Sequence, residues 1–492
     1  MLCNCSDYES VYLSGNIIKD TEMFTDIFKN DETVRIRHFC LGGTSQECVI
    51  LYTDGMANSQ KLDDSVVRSA VTYEANGILT AEEIAEKVLY SSEVSLKKSV
   101  ADMLRAILYG DTVLLTEGSD SAVLIDTKGW RTRGITEPLD ERVLSGPREG
   151  FGEAAMLNIA MIRRKLQTPD LCVKMLKVGR RSETMVFICY LGSLANSGTV
   201  KLLKEKIGKI DIDGVLDSNY IEELICGKKY SLFKSSGSTE RPDIVAARLL
   251  EGRIAVVVDG TPMVLTVPYL FSENFQSDED YYLNFLVSSV NRVLRWLCFF
   301  ISVSVPALFI AFTNFHLKLL PTDFAVTVSR LRGGVPMPAV IECIILILVF
   351  EMLKETGVRM PQSLGHALSI VGGLVVGQAA VEASIVSAPM LIAVAMSGIA
   401  GLMIPRLKTA VFYLRIINVL ACALLGCFGF FAVFTVTVAE IFGMESYGVD
   451  ATVSLCNPSL QSIKDTVVRL SWKDMRVRPL FNKNRIRKGK EE

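Results

Sequence analysis

The stretch Trp296-Leu-Cys-Phe-Phe-Ile-Ser-Val-Ser-Val-Pro-Ala-Leu-Phe-Ile-Ala-Phe-Thr-Asn-Phe315 decides the fold of this chain. It runs for 20 positions without a charged residue, and a helix needs about 20 mostly apolar residues to cross the hydrocarbon core of a bilayer. Downstream, Met360–Pro405 carries Glu382 as its one formal charge, beside the titratable His366, and Ile416–Ala439 carries none. Upstream, from Met1 to about Val290, no apolar run is long enough to cross. The chain therefore reads as an α/β soluble N-terminal region of two subdomains followed by an all-α polytopic membrane domain. The expected divisions are residues 1–145, 146–290, a transmembrane domain over 291–445, and a basic cytoplasmic tail over 446–492.

The chain has 492 residues, of which 50% are hydrophobic, and a net charge of -2 that conceals local bias. From Lys473 the last twenty residues hold eight Lys or Arg against one Asp and two Glu. Beside a membrane helix such a tail marks the cytoplasmic end rather than a nucleic-acid arm. The N-terminus MLCNCSDYES has neither a basic nor an apolar signal region, so the soluble part is expected in the cytoplasm. Twelve cysteines form no CxxC pair and only three histidines are present, far apart, so no metal and no other cofactor is expected. The sequence lacks G-x-x-x-x-G-K-[ST], G-x-S-x-G and H-E-x-x-H, which removes the residues of the common NTPase, hydrolase and zincin chemistries, and no catalytic residue is assigned.

In the first subdomain, strands are expected at Val34–Leu41, Cys48–Thr53, Thr112–Thr116 and Ala122–Asp126, with helices at Leu62–Tyr73, Thr80–Leu89 and Leu96–Leu108. Thr80 and Glu83 form a capping box. The second is expected to open with a helix over Glu149–Leu166, followed by strands Val173–Val178 and Thr184–Leu191, helices at Thr199–Ile207, Tyr220–Ile225 and from Pro242, and a hairpin turning at Asp259-Gly260. An amphipathic helix, Glu279–Arg295, leads into the membrane.

Five membrane candidates follow: Trp296–Phe315, Pro336–Leu353, Leu364–Ala380, Ile385–Ile404 and Tyr413–Ala439. An odd number of crossings would strand the basic tail outside, so four are expected, with the second or third candidate re-entrant or interfacial. Gly365, Ser369, Gly373 and Gly377 recur every fourth residue and lie on one helical face suited to close packing. Glu342 and Glu382 are carboxylates within apolar surroundings, a pattern that marks ion paths as well as interfacial turns.

A set of longer runs carries a resemblance. These are Ser145-Gly-Pro-Arg-Glu-Gly-Phe151, Asn158 with Ile162-Arg-Arg-Lys165, Thr239-Glu-Arg-Pro-Asp243, Val258-Asp-Gly-Thr-Pro262, Gly333-Gly-Val-Pro336, Ile370 through Glu382, and Ser446-Tyr-Gly-Val449. Together they resemble the A subunits of GerA-type spore germinant receptors, from about Val34 to Pro479. The first thirty residues and Ser231–Ser238 depart from the pattern. The related stage V sporulation protein AF shares the architecture. The resemblance implies a subunit in the inner membrane of a bacterial endospore, acting with a transporter-like B subunit that binds the nutrient and a lipoprotein C subunit. It further implies a homo-oligomer, a pentamer, that forms a nutrient-gated cation channel in membrane lipid, with no nucleic-acid partner. Gly146, Pro147, Arg148, Glu149, Gly150, Asn158, Arg163, Arg164, Asp259 and Gly260 belong to these runs and are read as structural.

In a ring of such helices the Leu364–Ala380 segment would turn one face to its neighbours and another to a pore. Val371, Leu374 and Val375 are the candidate dewetting gate, with Gln378 on the stripe that begins at Ile370 and Leu374. A non-conducting scaffold that organises partners is the alternative reading. A membrane-bound enzyme is disfavoured, because no catalytic pair converges on a recognisable motif.

Overall fold

The computed structural model describes residues 4–75, 77–129, 141, 146–226, 231–359, 377–456, 465–475 and 478. Two α/β modules precede the helical region, and they share one topology. In the first, α1 (Ile17–Ile27) precedes strands β1 (Val34–Cys40) and β2 (Glu47–Thr53). Then come the helical stretch α2 (59–72, π-helical at Asp63–Arg68), α3 (Ala81–Lys87), β3 (Val94–Lys97), α4 (Val100–Tyr109), β4 (Thr112–Thr116) and β5 (Ala122–Ile125). The second runs α5 (Ala155–Lys165), β6 (Leu171–Val178), β7 (Thr184–Leu191), α6 (Ser197–Gly208), α7 (Ser218–Ile225), β8 (Gly237–Thr239), α8 (Pro242–Leu250), β9 (Ile254–Val258) and β10 (Val264–Val267). Their sheets are ordered β1-β2-β4-β5-β3 and β6-β7-β9-β10-β8, the same order twice, with every pairing antiparallel.

Each sheet lies between two helical layers because its central strands are apolar on both faces. Val49 and Leu51 of β2 pack with Phe24, Leu104 and Ile107 of α1 and α4, while Cys48 and Ile50 face Val66 and Ile84 of α2 and α3. In the second module Val257 packs with Ile162 and Val245, and Val256 with Leu203 and Ile221. The modules are joined where residues 30–33 pair alongside β6. Val173 N donates to Asn30 O at 3.0 Å, and buried Arg163 reaches Asp31 at 2.5 Å and Thr33 Oγ1 at 2.9 Å.

Three sequence expectations are corrected here. Leu96–Leu108 divides into the edge strand β3 and α4, because Ser99 starts the helix and Val94–Lys97 pair with β5. The helix expected from Glu149 begins at Ala155, since residues 149–154 form an extended loop. Tyr413–Ala439 is two helices rather than one. The chain reverses at Gly426 (φ +59°), and Gly429 sits so close to the preceding helix that a Cβ would lie 2.1 Å from Ala421 O.

The helical region comprises α9 (Phe285–Asn314), α10 (Thr322–Arg332), α11 (Ala339–Arg359), the short α12 over 377–382, α13 (Ala388–Leu402), α14 (Lys408–Leu425) and α15 (Cys427–Phe442). Among the described residues, Phe285–Asn314 and Pro405–Leu425 are long and apolar enough to cross a membrane, while Ala388–Leu402 and Cys427–Phe442 are shorter apolar helices. α9 is continuous through Pro306, which cannot donate to the carbonyl of Ser302. That carbonyl instead accepts from Ser397 Oγ at 2.7 Å and from Arg415 Nε at 3.1 Å. Arg415 and the two serines thus tie α9, α13 and α14 together.

Both ends of the helical region face the modules. α9 begins after the loop 271–282, and beyond α15 the β11–β12 hairpin (Glu445–Ser446, Val449–Asp450) returns to the second module. Its Tyr447 enters the core with Val178 and Ile207.

Candidate functional site

The residues that join the modules to the helices form a dense set of buried charges. Its centre is Asp280, in the short turn Asp278–Tyr281 that precedes α9. Asn284 caps α9 through Leu286 N at 3.0 Å, and Ser288 Oγ donates to Asp280 O at 2.7 Å, so the turn is clamped onto the first turns of the helix. Two residues three apart on α9 then reach back. Arg292 Nε donates to Asp280 Oδ2 at 2.9 Å, and Arg295 donates to both Asp280 oxygens at 2.8 and 2.9 Å. Arg292 and Asp280 are both fully buried. Burial works against the charged form of Asp280, but the guanidinium groups of Arg295 and Arg292 outweigh it and hold its carboxyl below the usual carboxylate range.

Three other parts of the chain converge on this centre. From the C-terminal segment, Asp465 accepts from Arg292 Nη1 at 3.0 Å and from Tyr281 Oη at 3.0 Å. Burial pushes the Asp465 carboxyl up, with Arg292 offsetting part of the rise. Arg469 lies over the rings of Tyr281 and Trp472, at 5.6 and 5.9 Å from their centroids. From the α13–α14 connection, Arg406 donates to Asp278 Oδ2 at 3.0 Å and to the carbonyls of Glu273 and Gln276. From the second module, Arg253 pairs with Glu273, and Arg248 lies 3.5 Å from the same carboxylate. Burial opposes ionisation of Glu273, yet Arg253 and Arg248 keep its carboxyl low. A displacement of the second module therefore acts on α9, on the α13–α14 connection and on the C-terminal segment through charged contacts, of which those among Asp280, Arg292, Glu273 and Arg253 are buried.

The family-motif residues border this junction. Gly146 has φ +121°, and a Cβ there would lie 2.8 Å from the ring of Tyr282, whose hydroxyl donates to Asp243 at 2.5 Å. Glu149 pairs with Arg164 at 3.1 Å, and Gly150 is buried next to half-buried Pro147 and exposed Arg148. Asn158 holds the Gly152 backbone at both its N–H (2.9 Å) and its carbonyl (2.7 Å). Asp259 turns the β9–β10 hairpin as expected. It also accepts from Ala155 N at 3.0 Å at the start of α5, while Gly260 takes φ +92°. These residues hold the loop 146–154 in place.

The membrane candidates are dispersed. Glu342, fully buried on α11, accepts from Ser387 N at 2.6 Å and Ser387 Oγ at 2.7 Å, which caps α13. Glu382 is exposed and accepts from Gln378 at 3.0 Å. Gly377 faces Leu391 of the same chain. Gly365, Ser369, Val371, Gly373, Leu374 and Val375 lie outside the described residues. Among the described residues no group of three or more His, Cys, Asp or Glu side chains could hold a metal ion. Arg415 and the junction escaped sequence reading. Arg415 directly precedes the uncharged run, where an arginine reads as its boundary, and Asp465 stands 173 residues from Arg292.

Comparison with known proteins supplies the family. The family model for the Bacillus/Clostridium GerA spore germination protein matches residues 22–481. Spore germination protein KA of Bacillus subtilis (strain 168) is 37% identical over 98% of this chain and 90% of its own length. Spore germination protein GerLA of Bacillus cereus is 31% identical over 95% and 96%. The solved N-terminal domain of the A subunit of the Bacillus megaterium spore germinant receptor GerK3 is similar at 29% identity and a TM-score of 0.40, covering 53% of this chain and 97% of that one. The chain belongs to the GerA family of spore germination proteins.

Proposed function

We propose that this chain is the A subunit of a nutrient germinant receptor in the inner membrane of a bacterial endospore, and that copies of it assemble, as a pentamer, into a nutrient-gated cation channel. It acts with a transporter-like B subunit, which binds the nutrient, and a lipoprotein C subunit. The modules and the basic tail lie on the core side of the membrane, with an even number of crossings between them, four in the simplest arrangement. The observation that carries this reading is the family match over residues 22–481, which takes in both modules and the helices they are bolted to. The charged junction supports it further, because a signal arriving at the modules has a direct mechanical route to α9.

In this reading the segment 364–380 lines the pore. Val371, Leu374 and Val375 form the closed, dewetted constriction, Gln378 lies at its mouth, and the small-residue face of Gly365, Ser369, Gly373 and Gly377 packs between helices. Glu342 and Glu382 flank the ion path. Val375→Ala then leaks cations without nutrient, and unchanged resting permeability in alanine variants of all three gate positions removes the gate assignment. The whole reading is tested by potassium release from liposomes containing the purified receptor. Nutrient-dependent release supports a channel. A fully assembled receptor that releases nothing makes the chain a non-conducting scaffold for its partners.

A further inference from the structure

A second feature of the helical region is independent of conduction. α9, α14 and α15 enclose a cavity of about 160 Å³ against the loop 271–275, lined by Phe271, Trp296, Phe299, Phe430 and Phe434, and by Asn418. Among the described residues no charged side chain lines it. Two residues that line it each carry a buried polar atom with no partner among the described residues: the Nε1 hydrogen of Trp296 and the Oδ1 oxygen of Asn418. Asn418 is 3% exposed, and its Nδ2 donates to Leu414 O at 3.0 Å. That bond fixes which way the amide points, because the reversed amide would set oxygen against oxygen. The unsatisfied group is therefore an acceptor, stranded among aromatic rings where an unpaired amide oxygen is costly.

We infer that this cavity binds a small neutral amphiphile bearing one hydroxyl, which donates its hydrogen to Asn418 Oδ1 while its apolar body lies among the rings. A charged ligand is excluded by a wall with no counter-charge. The size is that of one aromatic ring, since an apolar cavity of about 150 Å³ holds benzene, and the phenylalanine and tryptophan wall favours a ring over a branched aliphatic body. Entry is from the hydrocarbon, because Phe300 and Phe434 beside the cavity are 45% and 43% exposed. An occupant there touches Phe271 and Trp296, and Trp296 is stacked on Phe275 at 3.7 Å, so it adjoins the charged junction.

The test uses the full chain in lipid nanodiscs and a diazirine-bearing benzyl alcohol as photolabel, with the labelled peptides mapped by mass spectrometry. Label is expected on residues 299–304 and 430–438. At equal mole fraction in the lipid, benzyl alcohol should displace it about five-fold more effectively than toluene, the factor one hydrogen bond supplies. Asn418→Leu should abolish that preference, and Ser304→Phe, which fills the cavity, should abolish labelling there. Label spread equally over lipid-facing Leu424 and Phe428 would overturn the assignment. So would equal displacement by toluene, which leaves the space to an acyl chain, or a preference that survives Asn418→Leu, which leaves the oxygen to water. Should Asn418→Leu fail to fold, labelling that persists in Ser304→Phe overturns the proposal by itself.

Discussion

Asp280→Asn is the perturbation that most sharply probes the junction. The carboxylate accepts three hydrogen bonds from two guanidinium groups, and Arg292 is fully buried. Removing one partner of a buried ion pair costs about 3–5 kcal/mol, because the other charge is left uncompensated. Asparagine keeps one acceptor, and Asp465 still stands 3.0 Å from Arg292, so the lower end, about 3 kcal/mol, is expected. Expressed as local opening, this is about a 100-fold faster amide hydrogen exchange over residues 278–292 and 465–469 in nanodiscs. The pH dependence has a definite sign. The folded Asp280 carboxyl is held below its unfolded value of about 3.9, so its contribution is complete above that value and is lost as pH falls through the folded one. Asp465, pushed up by burial, contributes with the opposite sign in both proteins. The difference between wild type and Asp280→Asn therefore shrinks in acid. Exchange accelerated less than about five-fold at neutral pH, or a difference that grows on acidification, would refute the reasoning.

Other consequences follow from single contacts. Gly146→Ala should destabilise the protein by about 1–3 kcal/mol, read as a fall in thermal midpoint, since the residue must hold φ +121° with a methyl against the Tyr282 ring. Asp31→Asn should cost about 3 kcal/mol in denaturant unfolding by stranding buried Arg163, and should loosen the two modules from each other. Glu342→Gln retains an acceptor for Ser387. Normal assembly with lost potassium release then assigns Glu342 to the ion path, whereas lost assembly assigns it to capping α13 alone.

Much of the architecture was legible where a physical period is long enough to read. All but the last residue of the uncharged Trp296–Phe315 stretch lies within α9, and the alternation of Val34–Thr53 and Thr184–Leu191 places hairpin strands within a residue or two. What escaped was short or non-local. The edge strands β3 and β8 have four and three residues, too few for alternation to outweigh neighbouring helical signal. The break at Gly426 lies inside 24 uncharged residues, where hydropathy is blind to a reversal of direction. The repeated topology of the modules is carried by element order, which no residue motif announces. A proline inside a helix frees a carbonyl, but nothing near Pro306 in sequence names Ser397 and Arg415 as the groups that satisfy it. The site is the least legible part, because Asp280, Arg406 and Asp465 meet only after the helices have packed.

The central claim is that copies of this chain surround a path for cations. An image of the assembled receptor in native lipid, viewed along the membrane normal, tests it most directly. The account predicts a ring of five subunits with an axial opening lined by residues 364–380. A single copy, or a ring whose axis is filled by packed side chains with no opening in the nutrient-bound state, would contradict it.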